Sequence, residues 1–291
     1  IPLTFFMTRP LRELQSATER VAAGDLRVEV PEGQRDEVGR LAASFNVMVS
    51  RLQAARDRLQ HSNEELDAFA YVVSHDLKAP LRGITNLTNW LEEDLDESLD
   101  EDQHKQMALI RDRVARMQAL IDGLLEFSRI GRVKHSPSAV DCAKLVTEVV
   151  ESLELGESVA WEIDVRGEIV TDQLRLSQVF QNLIENAVKH HPGPRARIEI
   201  KNQERGDRWE FSVADDGDGI SPRHHDRIFA IFQALPGAEG KQSTGVGLAL
   251  VKKIVESHGG AIRVESSGEP GEGARFIFTW PKTMREVSDD G

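Results

Sequence analysis

His75 and Asp76 stand side by side in Ser74-His75-Asp76-Leu77-Lys78-Ala79-Pro80-Leu81. A neutral imidazole nitrogen is a good phosphoryl acceptor when it is exposed and in the right tautomer. An adjacent carboxylate can take the ring N–H proton, orient the ring and stabilise the charge that develops. Taken alone, such a pair on a helix is usually just a surface feature, so its meaning depends on what surrounds it.

About a hundred residues on, Gln181-Asn182-Leu183-Ile184-Glu185-Asn186-Ala187-Val188-Lys189-His190 closes a helix expected from Asp172 to His190. Asn182, Glu185, Asn186 and Lys189 fall at i, i+3, i+4 and i+7 and share one polar stripe. Amide and carboxylate oxygens are hard ligands that suit Mg²⁺ and its waters, and a lysine on that stripe can meet phosphate. Phe211, Val213 and Asp215 then alternate along a strand that runs into Asp215-Asp216-Gly217-Asp218-Gly219-Ile220. A carboxylate at a strand end can accept from an adenine amino group, and the glycines permit close backbone approach. Acidic glycine-rich turns also serve calcium, but the twelve-residue EF-hand pattern with its terminal Glu is missing. Ser243-Thr244-Gly245-Val246-Gly247-Leu248 opens an amphipathic helix whose N-terminal N–H groups suit a polyphosphate. It matches neither the Walker A loop nor the Gly-x-Gly-x-x-Gly dinucleotide pattern.

These groups need elements to hold them. A first helix is expected from Pro10, a favourable first-turn residue, to Gly24-Asp25-Leu26, followed by a connector in which Val28 and Val30 alternate. A second starts near Asp36-Glu37-Val38-Gly39. From there Leu41, Met48, Ala55, Ser62 and Phe69 form one series stepping by seven, and Phe45, Leu52, Leu59, Leu66 and Val73 the other, which is a coiled-coil seam. Continuing it would put Asp76 and Pro80 in a dry core. Proline lacks an N–H and clashes with the carbonyl of Asp76, so the helix is expected to bend or loosen just beyond His75. Leu77, Leu81, Ile84, Leu87 and Leu91 restore an apolar face, the acidic run Glu92 to Asp102 reads as a solvated tip, and Ile110, Val114, Met117, Ile121 and Leu124 mark a return helix ending near Ser128. Two such helices cannot bury their faces alone; a four-helix bundle from two chains can.

The bulk numbers agree with several domains: 291 residues, 40% apolar, 5% aromatic. A net charge of −13, from 49 acidic and 36 basic residues, argues against nucleic acid or anionic lipid as the main partner. The single cysteine, Cys142, excludes an intrachain disulfide, and no Cys/His cluster has zinc spacing. Ile1 to Met7 falls far short of the ~20 residues a span requires. It is read as the stub of a truncated transmembrane helix, since Thr8-Arg9-Pro10 follows like an exit from the bilayer; an ordinary apolar N-terminus is the alternative.

The Ser-His-Asp-Leu-Lys-Ala-Pro-Leu string resembles the phosphoacceptor box of dimeric sensor histidine kinases, which implies that His75 is phosphorylated and Asp76 is its base. Pro10, the Gly-Asp-Leu turn and Asp36-Glu37-Val38-Gly39 resemble a HAMP domain, a parallel four-helix signal relay. The order Asn helix, Asp-x-Gly-x-Gly, Phe229-Ala230-Ile231-Phe232, Gly-x-Gly, Gly271-Glu272-Gly273 resembles the ATP-binding fold shared by histidine kinases, gyrase, Hsp90 and MutL. That resemblance implies that Asp215 holds adenine, that Asn186 with Asn182 holds Mg²⁺, and that Gly245 and Gly247 line the phosphates. Lys189, His190, Gly217, Gly219, Phe232, Thr244 and Leu248 complete the expected ATP site, with 221–246 as its lid.

The implied architecture is multidomain, α and α/β: a HAMP relay over 1–53 (stub 1–7), a dimeric antiparallel phosphotransfer hairpin over 54–130, a linker over 131–138, an α/β sandwich of the Bergerat ATP-binding type over 139–285, and a tail over 286–291. The implied protein is a homodimer on the cytoplasmic side of a membrane that passes its phosphoryl group to a response-regulator receiver. Three positions depart from the family pattern. Ala79 replaces the Thr or Asn that positions water for dephosphorylation, so phosphatase activity is expected to be weak. His190 stands where Tyr is common. Ala234 stands where arginine is common, leaving Lys241 or Arg227 to supply a cation. His224, His225 and His258 read as loop or surface residues. A nucleotide-dependent scaffold and an ATPase of the gyrase or chaperone type remain the rival classes.

Overall fold

A computed structural model describes residues 3–31, 36–95, 100–131, 136–155, 158–233 and 244–283, with backbone alone at 3–9, 64, 66–67 and 69–70. Two compact units divide at Phe69/Ala70.

The first unit holds α1 (Leu3–Ala22) and the first part of α2 (Glu37–Leu95). Pro10 lies inside α1 rather than at its start, so the helix begins earlier than the expected first-turn position. Gly24, with φ +99°, ends the turn after α1. Val28 and Val30 are buried with Ala17, Ala42, Phe45 and Val49, although the connector forms no strand among the described residues. Asn46 of α2 clamps the connector by accepting from Val30 N (2.9 Å) and donating to Val30 O (2.8 Å). Asp36 caps α2 by accepting from Gly39 N at 3.0 Å. Of the expected seam, Phe45 is buried while Leu41, Met48, Leu52 and Leu59 are exposed in the single chain. Among the described residues no helix is long and apolar enough to cross a membrane.

The second unit begins with the rest of α2 and with α3 (Glu101–Arg129). The bend or loosening expected beyond His75 does not interrupt the helix, which runs through Pro80 to Leu95. Pro80 is exposed there, a position where the donorless Asp76 carbonyl need not be buried. Asp100 and Gln103 form a reciprocal capping box at the start of α3. Lys78 of α2 pairs with Asp122 of α3, and Arg111 pairs with Glu92.

The α/β sandwich follows: β1 (Ser138–Asp141), α4 (Cys142–Ser152), β2 (Val159–Asp164), β3 (Glu168–Thr171), α5 (Gln173–His190), β4 (Ala196–Arg205), β5 (Arg208–Asp215), α6 (Gly247–Ser257), β6 (Ile262–Glu265) and β7 (Arg275–Pro281). The main sheet has the order β2-β4-β5-β7-β6, with β2 and β4 parallel and the other pairs antiparallel; β1 and β3 form a separate antiparallel pair. Trp209, Phe211 and Val213 alternate inward along β5 and meet Phe276, Phe278 and Trp280 of β7. Phe180 of α5 packs edge-on to Phe211 at 5.4 Å, which seats α5 on the sheet. Cys142 is buried, which with the neighbouring Asp141 and Glu168 pushes its thiol up to about 11. It is a packing residue.

Candidate active site

α5 places its polar stripe on the side opposite Leu176, Val179, Phe180, Leu183 and Ile184, which are buried against the sheet. The helix is fixed at its start by Asp172, whose carboxylate accepts from Arg175 N at 3.1 Å. Asn182, Glu185, Asn186, Lys189 and His190 all line one cavity of about 720 Å³. Asp215, Gly219, Thr244, Gly245, Gly247 and Leu248 line the same cavity, so most of the expected nucleotide residues converge. Gly217 and Phe232 are not on its wall. Gly217 instead shapes the loop: its carbonyl accepts from both Gly271 N and Gly273 N at 3.0 Å. Phe232 is half exposed at φ +64° and donates its N–H to Gly245 O at 2.9 Å.

Asp215 sits at the end of β5 with Oδ1 accepting from Gly217 N (2.9 Å) and Ala274 N (3.3 Å). Burial pushes its carboxyl above the ordinary value, against the pull of those two N–H groups. Beside it, Asp216 pairs with His191 at 3.1 Å and accepts from Arg197 N at 2.8 Å. Gly273, at φ +67°, must be glycine because a Cβ would collide with the Asp215 carbonyl.

At the other end, Asn182 donates Nδ2 to Gln178 O at 2.9 Å, so its Oδ1 faces the start of α6. A Cβ on Gly247 would lie 2.9 Å from that oxygen. The start of α6 has no side-chain cap, leaving N–H groups for an anion. Among the described residues no group of three or more His, Cys, Asp and Glu side chains is placed to hold a metal. The amide oxygens of Asn182 and Asn186 are nonetheless suitable hard donors to a Mg²⁺ carried in with phosphates. Burial lowers the pKa of Lys189, as does Arg116, while Glu185 opposes the shift.

His75 and Asp76 lie outside the cavity, on an exposed turn of α2. His75 Nδ1 is 3.1 Å from Asp76 Oδ1, and both side chains are about 70% exposed (69% and 72%). Their neighbour Ser74 is buried, so the exposed face is the one that carries the imidazole.

A family model described as "His Kinase A (phospho-acceptor) domain" matches residues 65–132. "Histidine kinase-, DNA gyrase B-, and HSP90-like ATPase" matches 171–284, and "HAMP domain" matches 3–54. The chain belongs to the two-component sensor histidine kinases. Among the proteins it resembles, the phytochrome-like protein Cph1 of Synechocystis is 39% identical over 233 residues, 79% of this chain and 31% of that protein. Sensor histidine kinase MtrB of Mycobacterium tuberculosis is 30% identical over 280 residues, 94% of this chain and 49% of that protein. The chain therefore spans about a third to a half of these relatives. The crystal structure of full-length ShkA in complex with AMPPNP superposes with a TM-score of 0.55 at 29% identity, over 74% of this chain and 45% of that one.

Several features of this sensor kinase were not expected from its sequence. Ala119, Asp122, Gly123 and Glu126 of α3 form one wall of the cavity, and Ala274 and Phe276 contribute to another. His258 is half-buried rather than fully at the surface: its ring stacks on buried Trp280 at 4.5 Å, and burial lowers its pKa. Burial, Arg223 and Arg227 likewise lower that of His224. Arg227 donates to Gln233 at 3.2 Å, while Ala234 and Lys241 lie outside the described residues, within the part of the expected lid, 234–243, that is not described.

Proposed function

We propose that this chain is the cytoplasmic signalling portion of a homodimeric membrane-receptor kinase that transfers the γ-phosphoryl of ATP to His75. The phosphoryl group then passes to an aspartate of a response-regulator receiver. The observation that carries the reading is the His75–Asp76 contact. An ionised carboxylate only accepts, so a neutral His75 keeps its proton on Nδ1 and leaves the Nε2 lone pair exposed. That lone pair forms the N–P bond while the bond from the γ-phosphorus to the β,γ-bridging oxygen breaks and ADP departs with its electrons. The Nδ1 proton passes to Asp76, so no full positive charge persists on the phosphorylated ring.

Asp215 would hold the adenine amino group, and the start of α6 with Thr244, Gly245 and Gly247 would hold the phosphates. Lys189, His190, Gly219 and Leu248 complete the walls, while Gly217 and Phe232 act through loop shape. Mg²⁺, held by Asn186 and Asn182, would offset phosphate charge. The AMPPNP bound by ShkA supports a nucleotide in this cavity. Because His75 is not on the cavity wall, the sandwich must move on α2 and α3 before transfer.

Exposed Leu77, Ile84, Leu87 and Leu91 of α2, with Ile110 and Met117 of α3, support a second chain completing the helical bundle. The domain bounds are those drawn from the sequence: relay to 53, hairpin to 130, linker to 138, ATP-binding sandwich to 285, then the tail. Ala79, one turn beyond His75, offers no group to position water, which supports weak phosphatase activity.

The test is incubation with γ-labelled ATP and Mg²⁺ beside His75→Gln. Acid-labile, alkali-stable label absent from the variant supports the reading; a chain that binds ATP yet takes no label under any condition contradicts it.

A further inference from the structure

Asp215 is the last residue of β5 to pair with β4, opposite Ile198. One residue on, the side chain of Asp216 takes over from the ladder: its Oδ1 accepts from Arg197 N of β4 at 2.8 Å. The same oxygen lies 3.1 Å from Nε2 of His191. An ionised carboxylate only accepts, so Nε2 carries its hydrogen and donates. The other ring nitrogen finds a partner in either charge state. Neutral, Nδ1 accepts from Gly193 N at 3.1 Å; protonated, it donates to Gly193 O, also at 3.1 Å.

His191 closes α5, its own N–H donating to the Val188 carbonyl at 3.3 Å, directly after Lys189 and His190 of the cavity wall. Its side chain is only 9% exposed and packs on the turn after β5, where a Cβ on Gly217 would come 3.8 Å from His191 Cα and Cδ2. Neither His191 nor Asp216 is on the cavity wall. One imidazole thus ties the end of the helix that carries Asn182, Asn186 and Lys189 to the turn that carries Asp215.

We propose that His191 is a positioning residue of the nucleotide site, holding the Asp215 turn through Asp216 at a fixed separation from the polar stripe of α5. This rests on the reading of the cavity as an ATP site. A carboxylate for adenine and a stripe for phosphate serve one ligand only when their spacing matches it, and that spacing is set by the groups that lock them from outside. The Asp216 side chain is half exposed, so water can replace the bond if His191 no longer makes it. Water satisfies the oxygen without fixing the turn, and the loss falls on binding more than on folding.

The test titrates the full chain with a fluorescent ATP analogue and Mg²⁺, beside rates of labelling from γ-labelled ATP over a range of concentrations. His191→Phe keeps a buried ring and removes the donor. Its affinity is expected to fall about tenfold, the scale of one hydrogen bond to a charged group, with the labelling rate at saturating ATP retained. Asp216→Ala should reproduce that loss, and adding it to His191→Phe should cost little more. His191→Gln, whose amide N–H can reach Asp216, should recover most of the affinity. On an Asp215→Asn background His191→Phe should change little, because the group it positions is already impaired. Unchanged affinity in His191→Phe and Asp216→Ala overturns the assignment, as does a His191→Phe loss that persists in full on Asp215→Asn. So does His191→Gln binding no better than His191→Phe, or an effect confined to the saturated rate. A wild-type chain that binds no nucleotide overturns the ATP reading and the positioning role with it.

Discussion

The Asp76 carboxylate lies 3.1 Å from Nδ1 of His75, on a turn of α2 where both side chains face solvent. On the proposed mechanism, this contact holds the proton on Nδ1 and leaves Nε2 to react. It joins consecutive residues of one helix, so its geometry depends on little beyond helical backbone.

Asp76→Asn keeps the size of the side chain but removes the carboxylate that takes the proton. Autophosphorylation is expected to fall about 10²–10⁴-fold. Nucleotide affinity should not change, since Asp76 is outside the cavity. Equal loss of both in a labelling assay run beside an ATP titration would count against the role given to Asp76.

Asp215 carries a sign that pH can read. Burial raises its pKa, so it takes a proton at a pH where a free aspartate is still ionised. An adenine amino group needs the ionised acceptor. Affinity is therefore expected to be complete above the raised pKa and to decline as pH falls through it, starting above the ordinary value of 3.8. Asp215→Asn should remove that dependence. With Oδ1 already taken by Gly217 and Ala274, the variant presents N–H₂ to the adenine donor, at a cost of about 1–3 kcal/mol. Calorimetric titrations across pH check both statements.

Gly273→Ala places a methyl group against the Asp215 carbonyl in a left-handed backbone. Strain of about 1–3 kcal/mol is expected to lower the melting midpoint of the sandwich. Nucleotide binding should weaken as well, because the displaced strand end carries Asp215. A variant that melts and binds like the parent would refute the assignment.

Ala79→Thr adds a hydroxyl one turn beyond His75, where it can orient water. A gain in dephosphorylation of a phosphorylated receiver, with autophosphorylation retained, is the expected result. No gain would mean that something other than Ala79 limits the phosphatase reaction.

What the sequence revealed was whatever depends on local period. Asn182, Glu185, Asn186 and Lys189 share a stripe because 3.6 residues make a turn, and the structure puts all four on one cavity wall. Asp215 was legible as the polar end of an alternating strand. The misses came from contacts between distant segments or from backbone detail. No local pattern places Gly123 and Glu126 of α3 against Val246 and Gln178. His258 looks polar at a helix end, yet the ring of Trp280 covers it. Pro10 looked like a helix start, but the helix assigned in the structure begins at Leu3. Phe232 and Gly217 belong to the expected motifs but shape loops rather than line the cavity.

The measurement that tests the account most directly is NMR of the phosphorylated chain, resolving which nitrogen of His75 bears phosphorus. Nδ1 held by Asp76 predicts the Nε2-phosphoryl isomer alone. An Nδ1-phosphoryl product, or phosphate on any other residue, would contradict the mechanism at its centre.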